Sequence, residues 1–94
     1  MLLFFTPLAE QDLEQIGDYI ANKSPKRAIS FIAELKTQCH KICMNPEGYR
    51  IRPELSARMR SCAYGRYVIY FESEDQQLTV IRILHGARDV LNKF

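Results

Sequence analysis

The second of two β-rich runs near the end of the chain closes on His85-Gly86-Ala87-Arg88-Asp89. Those residues bring together an imidazole, a glycine free to turn the chain, a guanidinium fork and a carboxylate. That is an unusual way to leave a strand. Arg82, inside the same run, has two readings: a guanidinium displayed for a partner, or one hydrogen-bonded to a carboxylate at the sheet face. His85 is either a hydrogen-bonded strand-end residue or part of an interface. Arg88 and Asp89 either pair locally or bind. Cys39, His40 and Cys43 are spaced closely enough on one helix to suggest a metal. No second ligand pair completes a tetrahedral site, however, and both cysteines fall on an apolar stripe, so they read as small buried hydrophobes. The expectation is no metal and no cofactor.

The elements that position these groups follow from periodicity. Met1-Leu2-Leu3-Phe4-Phe5 is too short for a membrane span and has no basic residue before it, so it reads as a strand, Leu2 to Phe5, and not as a signal peptide. Thr6-Pro7 is a helix start, with a hydroxyl to cap free amides and a proline that lacks the donor the first turn does not need. Ala9, Leu13, Ile16 and Ile20 then mark a buried stripe, with Glu10, Asp12, Glu14 and Asp18 off it, up to a break at Asn22-Lys23. Ser24-Pro25 starts a second helix with the stripe Ala28, Ile32, Leu35, Cys39 and Ile42, flanked by Ile29, Phe31 and Cys43 and stopped at Asn45-Pro46. Helices joined so briefly form an antiparallel hairpin.

Glu47 to Ser56 reads as a turn-rich connection, Arg58 to Ala63 as a strand and Tyr64-Gly65 as a tight turn. Two longer β-rich runs follow, around Tyr67-Val68-Ile69-Tyr70-Phe71 and Leu78 to Leu84, joined by Ser73-Glu74-Asp75-Gln76-Gln77 as a hairpin. Both runs are apolar on both faces, so both faces need cover. The helical hairpin supplies one cover, and the tail Val90 to Phe94 or a partner chain the other. The fold class is α+β in the order β-α-α-β-β-β, a helical hairpin on a small antiparallel sheet with the first strand at the edge or beside the last.

Ninety-four residues make one domain, 1–94, with a modest core, and a hydrophobic share of 47% excludes a disordered regulator. The three cysteines are an odd number without a secretion signal, which argues against a disulfide framework and for the cytoplasm. Net charge is only +2, too mild for a protein that lives by gripping phosphates. Arg50, Arg52, Arg58, Arg60 and Arg66 cluster in the middle third, with Arg82, Arg88 and Lys93 near the end.

Read together, the opening strand with Thr6-Pro7-x-Ala9-x-x-Asp12-Leu13-x-x-Ile16, the Asn45-Pro46 stop, Gly65-Arg66-Tyr67-Val68-Ile69-Tyr70 and Arg82-Ile83-Leu84-His85-Gly86-Ala87-Arg88-Asp89 resemble the RelE/ParE toxin superfamily, and within it the ParE branch. The resemblance covers nearly the whole chain. It implies the toxin of a type II toxin–antitoxin pair, neutralised by a small, partly disordered cognate antitoxin. ParE members inhibit DNA gyrase, whereas RelE-like members cleave mRNA in the ribosome.

Metal-free RNA cleavage needs a base for the 2′-hydroxyl, a donor for the leaving oxygen and a cation for the phosphorane. The lysine-rich set of RelE-like nucleases is missing, since no lysine stands between Lys41 and Lys93. The Glu/Arg/His set of other members is matched in place by Glu47, Arg66 and His85. The His-Gly-x-Arg-Asp ending resembles ParE instead. The resemblance therefore implies a gyrase inhibitor with no catalytic residue, no membrane association and no sequence-specific nucleic-acid binding. Arg82, His85, Arg88 and Phe94 are its expected target contacts, and a RelE-like endoribonuclease or a non-toxic antitoxin-binding member is the alternative.

Overall fold

The computed structural model describes residues 1–87 and 90–94. Arg88 and Asp89, two of the residues singled out above, lie outside them. Strand β1 (Leu2–Phe5) leads into helix α1 (Pro7–Ala21), whose cap is Thr6: its side-chain oxygen accepts the Ala9 N–H at 3.0 Å. Ser24 does the same for α2 (Pro25–Met44), accepting the Arg27 N–H at 3.1 Å. Each cap satisfies a donor that a helix start leaves free, typically stabilising by about 1 kcal/mol. Helix α2 buries Ala28, Phe31, Leu35, Cys39 and Ile42. Phe31 takes the place expected for Ile32, and Ile29 is exposed.

The chain continues through a single 3₁₀ turn, Pro46–Gly48, and strands β2 (Arg50–Ile51), β3 (Arg60–Tyr64), β4 (Tyr67–Glu74) and β5 (Gln77–His85), ending in a 3₁₀ turn at Val90–Asn92. One sheet has the order β1-β5-β4-β3-β2. Two features differ from the sequence expectation. The sheet is mixed, because β1 runs parallel to β5 while every other pair is antiparallel. A parallel partner requires a long crossover, and the helical hairpin opens the connection that provides it. The connection after α2 also contributes the short edge strand β2, which pairs Arg50 with Ser61 and Ile51 with Arg60, so β3 begins later than expected.

The two-sided apolar character of β4 and β5 is resolved as two cores. Ile69, Phe71, Leu78, Val80 and Ile83 pack under the helices with Leu13, Ile16, Phe31 and Leu35. A smaller core joins Met59, Tyr70 and Leu84 with Leu55, Val68, Ile81 and Val90. The chain end contributes to it, since Val90 packs in and the Phe94 ring meets Tyr70 edge-on at 5.2 Å.

The β4–β5 turn places Asp75 and Gln76 at φ 49° and 65°. Positive φ at both central residues is the hairpin geometry that favours Asn-Gly, and a side chain there is strained. Replacing the pair, Asp75→Asn with Gln76→Gly, is expected to raise stability by about 1 kcal/mol, or ~4–8 °C in Tm for a domain of this size. A thermal melt followed by circular dichroism measures it; an unchanged or lower midpoint contradicts the assignment of strain.

Candidate functional site

Strand β1 stops at Phe5, opposite Val80, and leaves the rest of β5 without a neighbour on that side. Helix α1 meets the need of that edge. The Thr6 hydroxyl donates to the Ile81 carbonyl at 2.7 Å, and the Ile83 N–H donates to Asp12 Oδ2 at 2.9 Å. A register shift between Tyr70 and Phe71 leaves Ile81 without an opposite residue, a bulge that re-aims the chain just before Arg82. Arg82 then grips Asp12 with two parallel bonds, Nε to Oδ2 at 2.8 Å and Nη2 to Oδ1 at 2.9 Å, and its Nη1 donates to the Lys93 carbonyl at 3.1 Å. Asp12 is buried, contrary to its expected solvent position. The hydrogen bonds that Arg82 donates to Asp12, more than the charge of that carboxylate, raise the Arg82 pKa above its ordinary value, against the opposing effect of burial. Of the two readings of Arg82, the carboxylate-bonded one holds.

This ion pair forms one wall of an open groove of about 680 Å³ between α1 and the ends of β4 and β5. Gln15 and Tyr19 of α1 line one side, and Arg66, Tyr67 and His85 the other. Arg66 occupies the two-residue turn between β3 and β4, where Gly65 has φ 58° and supplies the left-handed backbone the turn requires. The Arg66 carbonyl accepts the Gly86 N–H at 2.8 Å, fixing that turn against the exit of β5. The Arg66 side chain is exposed. His85 pairs across the strands with Tyr67, its ring edge-on to the tyrosine at 5.5 Å. His85 Nδ1 accepts the Ala87 N–H at 3.2 Å, which fixes that nitrogen as the acceptor and leaves Nε2 as the other functional atom.

The structure thus brings Arg66, Arg82 and His85 together and leaves Glu47 out. Glu47 follows α2 and lines a separate hollow with Met44, Glu74 and Asp75, at the β4–β5 hairpin tip. Arg66 and His85 stand at the opposite end of β4. At about 3.3 Å per residue, the eight residues of that strand put more than roughly 20 Å between the two ends. Phe94 is half engaged by Tyr70 and otherwise exposed.

Asp12, Tyr19 and Lys93 line the groove too, and none was legible as a site residue. One signal existed for Asp12: it falls three residues after Ala9 and four before Ile16, at the margin of the buried stripe, in a chain with an isolated strand arginine.

Among the described residues no cluster of three or more His, Cys, Asp or Glu side chains could hold a metal, and no helix is long and apolar enough to cross a membrane. Cys39 is fully buried, and desolvation pushes its thiol up to about 12. Cys43 is partly exposed and less strongly raised, again mainly by burial. Only the thiolate reacts. At pH 8 a disulfide reagent should therefore modify Cys43 first and Cys39 only on unfolding, read by mass spectrometry of peptides over time. Equal rates at the two sites contradict the packing described.

A sequence model of the family described as "ParE toxin of type II toxin-antitoxin system, parDE" matches residues 3–90. No curated protein matches the chain in sequence. Among solved structures, a chain described as "Chromosomal ParDE TA system from P. aeruginosa" superposes with a TM-score of 0.75 at 20% identity, over 90% of this chain and 95% of that one. At that identity the likeness is one of fold.

Proposed function

We propose, from the premise that this chain belongs to the ParE toxin family of type II toxin–antitoxin systems, that it inhibits DNA gyrase by protein–protein contact and is held inactive by a small cognate antitoxin. Gyrase as the target puts the site of action in the cytoplasm. The observation that carries the reading is the composition of the groove. Arg66, His85 and Tyr19 line one groove, and among the described residues that line it no free carboxylate accompanies them, since both oxygens of Asp12 are taken by Arg82 and the Ile83 N–H. Glu47, the base that the endoribonuclease alternative calls on, stands at the far end of the sheet. A general base must come within about 3 Å of the proton it removes, directly or through one water.

The contact set on this reading is His85, Phe94 and Arg88, joined by Arg66, while Arg82 holds the frame. Arginine and aromatic side chains on a rigid surface are the usual anchors of such interfaces. The antitoxin is expected on the helical hairpin and the neighbouring sheet edge, where Leu2, Phe4, Leu8 and Ile29 are exposed apolar residues. Two assays test the reading side by side: supercoiling by purified gyrase, and mRNA cleavage in a translation extract, each with and without antitoxin. Inhibited supercoiling with intact mRNA, reversed by antitoxin, is the expected result. Cleaved mRNA with unaffected supercoiling assigns the chain to the nuclease class instead, for which the shared groove of Arg66 and His85 is the favouring observation.

A further inference from the structure

Among the described residues that line the groove, the charges are not balanced. Asp12 neutralises Arg82, and Glu14 and Asp18, on the same helix, do not line the groove. Arg66 and Lys93 remain as exposed cations whose side chains have no partner among the described residues. His85 and the Tyr19 ring line the same groove, and Tyr19 is 70% exposed. At the other end of the molecule, around the hairpin tip, the acids Glu47, Glu74 and Asp75 stand with cations, Glu74 being paired with Arg58.

Resting on the gyrase-inhibitor reading, we infer that this groove receives an acidic peptide segment of the target protein, a carboxylate-bearing stretch held by Arg66 and Lys93 against the Tyr19 ring. Two cations suit a short run of carboxylates. A nucleic acid strand is bound through many more phosphate contacts than two cations supply. The guanidinium of Arg66 forks onto a carboxylate, Lys93 adds a point charge, and Tyr19 gives an amphipathic contact at low entropic cost. The Arg82 bond to the Lys93 carbonyl fixes the backbone from which the lysine side chain leaves.

The test is fluorescence anisotropy on the full chain with three labelled probes: a hexapeptide of alternating glutamate and leucine, its glutamine counterpart, and single-stranded hexauridylate. The glutamate peptide is expected to bind at least about tenfold more tightly than the glutamine one, with affinity falling as salt rises. Arg66→Gln and Lys93→Gln should each weaken it about five- to tenfold at low salt, a range set by exposed charge-assisted contacts. Lys36→Gln, on the exposed face of α2, should leave it unchanged. Thermal melts of the variants should match the parent. Equal affinity for the two peptides, tighter binding of hexauridylate, or no loss in Arg66→Gln overturns the inference. The same proteins enter the supercoiling assay. Selective, Arg66-dependent peptide binding without inhibition of gyrase supports the groove's chemistry and overturns gyrase as the target; inhibition that survives Arg66→Gln and Lys93→Gln overturns the groove and leaves gyrase standing.

Discussion

Asp12→Ala is expected to destabilise the domain by about 3–5 kcal/mol, the range for breaking one side of a buried ion pair. Asp12 accepts three hydrogen bonds, two from the Arg82 guanidinium and one from the Ile83 N–H. The side chains of the pair are only 14% and 8% exposed, so water cannot readily replace what is lost. Alanine leaves a largely buried guanidinium without its counter-charge and a buried edge N–H without an acceptor, each of which is penalised. Small domains have roughly 5–15 kcal/mol of stability in all, so the variant should populate unfolded protein at modest temperature. Asp12→Asn keeps the shape and an acceptor oxygen and should lose about half as much. The double replacement Asp12→Leu with Arg82→Met should recover part of the loss, because apolar pairs of similar volume often match or exceed a buried ion pair. Urea denaturation of the four proteins, read as shifts in midpoint at constant slope, checks the series. A loss below about 1 kcal/mol for Asp12→Ala, the size typical of exposed pairs, contradicts the picture of a buried clamp.

That clamp also marks where the sequence stopped being legible. Both helix starts could be read because Thr6-Pro7 and Ser24-Pro25 are local signals, a hydroxyl acceptor followed by a proline, and local signals do not depend on the rest of the fold. The apolar stripes predicted most of the helix-side core for the same reason. What could not be read depends on partners distant in sequence. Asp12 looked solvated because charge normally faces water, yet its acceptors are consumed by residues seventy or more positions away. The parallel pairing of β1 with β5 is also non-local, since an apolar four-residue strand carries no mark of its direction. Phe31 displaced Ile32 in the core because the buried arc of α2 rotates slightly, and a stripe with apolar flanks on both sides does not say which flank wins. The groove was half legible. Arg66, Arg82 and His85 stood out as polar groups in β-rich sequence, whereas Tyr19 and Lys93 are ordinary residues made notable only by what folds beside them. Position along the chain groups Glu47 with Arg66 and His85, but it carries no information about which end of a sheet a residue reaches.

That separation of Glu47 gives the second large effect, a division of the two mechanisms by residue. In the supercoiling assay, Arg66→Ala and His85→Ala are each expected to raise the concentration needed for half-inhibition by about 30-fold, the consequence of losing roughly 2 kcal/mol at an interface anchor. Arg88→Ala and Phe94→Ala should act in the same direction, Phe94 also losing its ring contact with Tyr70. Glu47→Ala should lie within about twofold of the parent, because exposed side chains remote from the contact change affinity little. An endoribonuclease behaves differently. Removing a general acid or base costs ~10²–10⁴-fold in rate, so Glu47→Ala would then be among the most damaged variants in the translation extract. The backbone around Glu47 does not depend on its carboxylate, since its carbonyl and that of Tyr49 are held by Arg60 Nη1 at 3.3 and 2.8 Å. Glu47→Ala therefore removes the acid while keeping the loop, and its melting temperature should stay at the parent value. Loss of toxicity in that folded variant would sink the gyrase reading, since no contact surface at the Arg66–His85 end reaches Glu47. Retained toxicity with Glu47→Ala, together with loss in Arg66→Ala and His85→Ala, is the pattern that a contact inhibitor produces and that an enzyme using all three residues does not.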